Sequence, residues 1–256
     1  MEPARSVAVV LPAYNEEPNL ARTVRGAQDY LSRAMDDYRV VVVDDGSADG
    51  TGTVAAALAA TDPEHVIVVT HPVNRGYGAA VRSGIAAALA TECPWIFLTD
   101  ADGQFDLSEI GMLLGVAGEE QADLVTGWRT RRADSTIRRL NATLWSTASR
   151  LLLGLHVHDV DCAFKLVHRR VLAGMTLEGE AAVISPELLA KTAHAGYRIV
   201  EVPVSHFPRE AGEQSGANLK VIVRSLFGLV RLRLSLVRAP AGAPGLPRRT
   251  ARGSAD

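Results

Sequence analysis

Short, continuously apolar runs alternate with longer stretches in which apolar residues recur at helical spacing. The runs at 7–11, 40–43, 66–70, 95–99 and 124–127 are β-branched or otherwise apolar with little polar alternation, the pattern of strands covered on both faces. Between them, period and capping residues predict helices at about 16–33, 50–60, 76–90 and 106–117. Parallel strands need such crossovers, so the rhythm predicts an α/β fold with a doubly wound, mainly parallel sheet. Beyond Trp128 the rhythm loosens. A basic loop at 129–139 leads into a helix-like stretch ending at Leu155, followed by Asp159-Val-Asp161-Cys162-Ala-Phe-Lys165. A strand is predicted at 198–202, then a polar loop at 209–218 and a C-terminal amphipathic helix at 219–237. Residues 239–256, dominated by Pro, Gly, Ala and Arg, are expected to be disordered.

Composition narrows the classes. With 256 residues, 47% hydrophobic and 22% charged, the chain has ample core for one domain or two small ones and is neither collagenous nor wholly disordered. A net charge of −2 gives no global electrostatic case for a nucleic-acid partner. The charge is unevenly placed, however. Residues after Ser215 carry eight bases and one acid, a net +7, which leaves −9 on the rest and points to an anionic partner for the C-terminal end. Cys93 and Cys162 are the two cysteines, too few for a disulfide framework or a cysteine-rich zinc site, as suits a reducing cytosol. The first strand begins within a few residues of the N-terminus and stops at Pro12, so no signal peptide is expected. No run reaches the ~18 uninterrupted apolar residues of a membrane span.

Candidate chemistry sits where strands end. Tyr14-Asn15-Glu16 follow the first strand, Asp44-Asp45 the second, and Asp100 and Asp102 the fourth. In open α/β sheets ligands bind outside the carboxyl ends of the strands, so these residues are expected in one crevice. Asp100-Ala101-Asp102-Gly103-Gln104 offers two carboxylates and an amide oxygen, hard donors that suit Mg2+ or Mn2+ completed by substrate phosphates. Taken singly, it also reads as a capped loop, and Asp44-Asp45-Gly46-Ser47 as ordinary turn chemistry. Their convergence with Tyr14-Asn15-Glu16 is harder to explain by turns. Gly76-Tyr77-Gly78, with Asp100 about 20 residues on, loosely mimics a dinucleotide fingerprint. The mimic fails because His71 to Arg75 separate the first glycine from its strand and because it leaves Asp44, Asp45, Asp102 and Gln104 without a role.

The motifs Pro12-Ala-Tyr14-Asn15-Glu16-Glu17, Val43-Asp44-Asp45-Gly46-Ser47-Ala-Asp49-Gly-Thr51, Asn74-Arg-Gly76-Tyr-Gly78, Asp100 to Gln104 and Gly127-Trp-Arg129 occur in this order. In this the chain resembles the family-2 inverting glycosyltransferases, over about residues 6–236. Asp161-Cys-Ala-Phe-Lys165, Glu201-Val-Pro203 and the stretch His206 to Ser215 favour the polyprenyl-phosphate sugar transferases, the branch of the dolichol-phosphate mannose synthases. The resemblance implies a GT-A nucleotide-sugar fold, with 1–217 as catalytic domain, 218–238 as interface helix and 239–256 as tail. It implies that Pro12, Tyr14, Glu16, Val43 and Asp45 line the pocket for the donor's base and ribose, continued by Asp100 and Ala101. It implies that Asp102 and Gln104 hold the metal against the diphosphate. Arg129 and Arg209 would bind phosphate oxygens with their planar forks, Ser215 lying nearby, and Arg139 and Thr143 would face the acceptor phosphate.

A phosphate monoester is largely ionised at neutral pH, with a second pKa of ~6, so such an acceptor needs no general base. A hydroxyl acceptor on a glycan, glycolipid or small molecule would need one, and Asp161 or Asp159 would serve. A catalytically silent nucleotide-sugar-binding module is the reading outside enzymes. His206, three residues before Arg209, is the histidine best placed for a phosphate or metal contact. In the last helix, Lys220, Arg224, Gly228, Arg231, Ser235 and Arg238 recur at steps of three and four, drawing a cationic stripe on an otherwise apolar helix. Such a helix can rest on an anionic membrane or pack on the protein's own core or a second copy. The polyprenyl-phosphate acceptor favours the membrane, so the expected location is the cytoplasm, peripheral at the cytosolic membrane face.

Overall fold

The computed structural model describes residues 5–130, 136–209, 211 and 219–238; within the helices at 136–142, 144, 219–224 and 238 only the backbone is described. Four parallel strands, β1 (Ser6–Ala13), β2 (Asp37–Asp44), β3 (Val66–Thr70) and β4 (Trp95–Leu98), form one half of a seven-stranded sheet. β5 (Leu124–Arg129), β6 (Lys165–His168) and β7 (Ile199–Val204) complete it, in the order β3-β2-β1-β4-β6-β5-β7. β6 alone runs against its neighbours, pairing antiparallel with β4 and β5. The mainly parallel α/β sheet expected from the sequence is therefore present, with one reversed strand inserted.

The alternation of side chains along each strand builds two core layers. Val7, Val9, Leu11 and Ala13 of β1 join Val40 and Val42 of β2 beneath α1 (Glu17–Ala34), α2 (Thr51–Thr61) and α4 (Ile110–Glu119). Ala8, Val10, Val41 and Val43 face the other way, onto α3 (Tyr77–Leu89). In α1, Leu20, Val24, Ala27 and Leu31 are buried at steps of four, three and four, the seam of a half-covered helix. The second layer continues through α5 (Thr136–Leu153), the one-turn α6 (Arg169–Leu172), α7 (Ile184–His194) and α8 (Leu219–Arg238).

The last helix packs on α5, α7 and the turn at 181–183. Ser225, Leu229, Leu232 and Leu236 form its buried seam. Gly228, a member of the expected polar stripe, lies so close to the body that a Cβ there would stand 2.9 Å from a methyl of Val183. Of the other stripe members, Arg231 and Ser235 face solvent, and the side chains of Lys220, Arg224 and Arg238 lie outside the described residues. Among the described residues, no helix is long and apolar enough to cross a membrane.

Candidate functional site

The sheet order places β1 between β2 and β4, so the segments leaving these three strands meet above one edge, a switch point in the sense that locates ligands in α/β proteins. After β1, Asn15 adopts a left-handed backbone (φ 55°) and accepts from the Ala48 N–H at 2.9 Å. Glu16 anchors its backbone on the Thr51 hydroxyl at 2.8 Å and points its carboxylate toward the C-terminal half. There its Oε1 accepts from Arg209 at 2.6 Å, while Oε2 accepts from Asn19 at 2.8 Å. Arg209 also donates to the Ala211 carbonyl at 2.7 Å and approaches Asp102 at 3.9 Å.

Arg209 reaches this place through a short pairing of chain segments. Phe105 and His206 form an antiparallel bridge, the Phe207 N–H donates to the Gln104 carbonyl at 2.8 Å, and the Gln104 side-chain amide donates to the Phe207 carbonyl at 2.8 Å. That bond fixes the orientation of the amide. Gly103 has φ +71°, so the turn that presents Asp102 favours glycine. Asp102 accepts from the Gln104 N–H at 3.1 Å. Burial, and then the neighbouring Asp100 charge, push its carboxyl up to about 7. Asp100 is also raised by burial, against which the Tyr77 hydroxyl, at 3.0 Å, and Arg129 work.

Asp102 and Gln104 therefore offer a carboxylate short of positive charge and a fixed amide oxygen. Among the described residues, no group of three His, Cys, Asp or Glu is placed to hold a metal. This donor set fits a hard divalent ion completed by oxygens of a ligand, and does not fit a closed protein cage.

The other expected residues are distributed less simply. Pro12 and Val43 face each other across β1 and β2, Ala101 is buried, and Tyr14 is exposed. Asp45 is buried and already engaged, accepting from His71 Nδ1 at 2.6 Å and the Arg75 and Gly76 N–H groups at 3.0 and 2.8 Å. Arg129 is held by an acidic partner. Its Nε and Nη2 clasp both oxygens of Asp159, at 2.7 and 3.0 Å, because that buried carboxylate needs a counter-charge. Burial disfavours the Arg129 charge, and the Asp159 bond more than offsets it, raising its pKa. Thr143 is an exposed residue of α5, whereas the Arg139 side chain and Ser215 lie outside the described residues.

Three residues not anticipated from the sequence bind these groups together. Tyr77 holds Asp100, and Trp145 of α5 donates its indole N–H to Asp161 at 2.7 Å. Burial pushes the Asp161 carboxyl up to about 6 despite that bond. Lys165, buried at the start of β6, donates to the carbonyls of Val160 and Cys162 and to the Ser185 hydroxyl, fixing the loop that carries Asp159 and Asp161. Its pKa is lowered by burial, and the Cys162 thiol is pushed up to about 11 for the same reason. Only the Asp-Cys-Ala-Phe-Lys motif hinted at this loop.

Residues 8–175 match the family model described as glycosyl transferase family 2. The polyprenol monophosphomannose synthase of Mycolicibacterium smegmatis is 32% identical over 230 residues, 86% of this chain and 85% of that protein. The undecaprenyl-phosphate 4-deoxy-4-formamido-L-arabinose transferase of Pseudomonas fluorescens is 30% identical over 86% of this chain and 63% of its own length. Among solved structures, glucosyl-3-phosphoglycerate synthase from Mycobacterium tuberculosis, in complex with Mn2+, UDP-glucose and phosphoglyceric acid, superposes with TM-score 0.65 at 22% identity. The superposition covers 93% of this chain and 82% of that one, and establishes the GT-A fold.

Proposed function

The chain belongs to glycosyl transferase family 2, and from that we propose that it moves a hexose from a nucleoside diphosphate sugar to polyprenyl phosphate with inversion at the anomeric carbon. The observation that carries this reading is the crevice where Glu16, Asp100, Asp102 and Arg209 converge. Both relatives named above support the acceptor class, since one is by name a polyprenol monophosphomannose synthase and the other an undecaprenyl-phosphate sugar transferase.

In this reading an oxygen of the acceptor phosphate bonds to the anomeric carbon as the bond to the nucleoside diphosphate breaks. The phosphate is already ionised near neutral pH, so no proton need be removed from it. Asp102 and Gln104 would hold Mg2+ or Mn2+, which when bound would supply charge neutralisation at the departing diphosphate. Arg209, tethered between Glu16 and Asp102, is the cation that turns onto the diphosphate oxygens. Pro12, Tyr14, Glu16, Val43, Asp45, Asp100 and Ala101 line the donor's nucleoside side. Arg129, paired with Asp159, is the second guanidinium fork for the phosphate oxygens, Arg139 and Thr143 face the acceptor phosphate, and Ser215 lies near the donor phosphates.

A second reading, transfer to a hydroxyl, is favoured by one observation: Asp161 is a buried carboxyl pushed up to about 6, a value suited to a general base. The test is a panel of nucleoside diphosphate sugars assayed with polyprenyl phosphate and Mg2+ or Mn2+. Radiolabel from GDP-mannose or UDP-glucose is expected in the organic phase; no label there with any donor sinks the proposal.

The acceptor would lie in a membrane, and α8 supports peripheral attachment at the cytosolic face. Its outward seam of Phe227, Val230, Leu234 and Val237 is exposed and flanked by exposed Arg231 and Arg233. Phe227→Glu with Val230→Glu should abolish flotation with anionic vesicles while leaving nucleoside diphosphate binding intact. Unchanged flotation would remove α8 from the attachment.

A further inference from the structure

We infer that His71 and Tyr77, at the two ends of one short segment, are positioning residues for the donor site, acting through Asp45 and Asp100. The inference rests on the donor-site reading above and adds two residues that no sequence motif assigns.

The segment leaves β3 beside Asp44, whose carbonyl accepts from the His71 N–H at 2.9 Å. The His71 ring is buried and bridges two partners, with Nδ1 on Asp45 at 2.6 Å and Nε2 on the Ser83 hydroxyl of α3 at 2.9 Å. Because an ionised Asp45 only accepts, Nδ1 carries the proton of this bond. Two bonds from Arg75 and Gly76 complete the hold, so Oδ1 of Asp45 receives two donors and Oδ2 one. A carboxylate with about four acceptor positions keeps one for a ligand and cannot swing without breaking three bonds.

At its other end the segment enters α3 through Gly76, with φ +88°, a backbone that favours glycine. Tyr77 is the first residue of the helix and donates its hydroxyl to Asp100. The helix start is itself immobilised. A Cβ on Gly78 would meet the Gly179 carbonyl oxygen at 2.2 Å, and Arg82 donates to that same oxygen at 2.7 Å. Tyr77 thus extends from a fixed backbone, and its hydroxyl holds the Asp100 carboxylate at 3.0 Å.

β2 and β4 are not neighbours, since β1 lies between them. The segment therefore spans the carboxyl end of β1 and fixes the two carboxylates on either side of the crevice relative to each other. A donor whose nucleoside lies across that end meets two acceptors at a set spacing, a pre-organisation that lowers the cost of binding.

The test is isothermal titration of the full chain with UDP and with GDP in the presence of Mn2+, alongside steady-state kinetics and thermal melting. Tyr77→Phe removes one charge-assisted hydrogen bond and should weaken nucleoside diphosphate binding about tenfold. Donor KM should rise by a similar factor, while acceptor KM and the melting temperature stay near those of the wild type. His71→Leu should do the same with some loss of melting temperature, and His71→Asn, which keeps a donor toward Asp45, should restore most of the affinity. Wild-type affinity in both Tyr77→Phe and His71→Leu would overturn the inference. So would equal losses for donor and acceptor that follow the melting temperature, because that is a purely structural role. If the wild-type chain binds neither UDP nor GDP, the donor-site reading itself fails, an outcome separable from the other two.

Discussion

The ends of β2 and β4 both present carboxylates to the same crevice, yet they are supplied very differently. Asp45 is met by three donors from its own chain, all between 2.6 and 3.0 Å. Asp102 is met by one backbone N–H at 3.1 Å and a guanidinium no nearer than 3.9 Å, with another carboxylate two residues away. The protein has settled the charge at the end of β2 and left it unsettled at the end of β4. A buried anion that the fold does not neutralise must take a proton or a ligand cation, and the pKa of about 7 at Asp102 records that shortage.

The contrast is most exposed by Asp102→Ala. Turnover should fall on the order of a thousandfold, because stabilisation of the departing diphosphate is lost. Melting temperature should hold or rise, since an under-compensated buried charge has been removed. With Mn2+ and nucleoside diphosphate at a hundred times their dissociation constant, the wild type should gain about 2.7 kcal/mol of stability and Asp102→Ala nothing; an equal gain in both would place the cation elsewhere. Asp45→Ala should behave in the opposite sense. It leaves the buried His71 ring without its Nδ1 partner and takes an acceptor from the Arg75 and Gly76 N–H groups, and denaturant melts should show a loss of about 3–5 kcal/mol. A stable Asp45→Ala with donor binding intact would erase the difference between the two ends.

Smaller effects refine it. Asp161→Asn should keep turnover on polyprenyl phosphate within about tenfold of the wild type, where loss of a general base would cost a hundredfold or more. Turnover that disappears in this variant favours the hydroxyl acceptor. The smallest effect lies at the opposite end of β4, where His168 packs edge-on against Trp95 and accepts the Arg170 N–H at 3.1 Å. Burial lowers its pKa to about 4, so the unfolded chain binds the extra proton first. Its contribution to stability is complete above about pH 6.5 and is lost as pH falls toward 4. His168→Asn, which keeps an acceptor, should flatten that part of the stability profile; an unchanged slope would assign it to other groups.

Most of the first half could be read from the sequence because its signals are local and periodic. The runs at 7–11 and 40–43 fall inside β1 and β2, and Asp44, Asp45, Asp100 and Asp102 stand at strand ends as the pattern predicts. The second half gave less. β6 is four residues long, starts with a lysine and runs backward, so Lys165–His168 carries neither alternation nor a crossover to announce it. α7 was missed as well, its start blurred by the preceding turn at 181–183 and by Pro186. His71 had the standing of a spacer, and Tyr77 stood inside a motif with no role of its own. Their partners lie 26 and 23 residues away, and a side-chain bond across such a distance leaves no trace in hydrophobic period. Arg129 shows the converse: a motif arginine can be identified without revealing that Asp159 already holds it.

α8 carries two apolar seams, one sunk into the body and one turned outward. An anchor joined by a slack linker would let an enzyme drift and tilt above the surface it visits. In the attachment proposed for α8, a foot made from a helix that is also part of the core permits neither. The angle of approach then belongs to the fold, and changing the packing of Leu229 or Leu232 would alter how the crevice is aimed before it altered anything inside it.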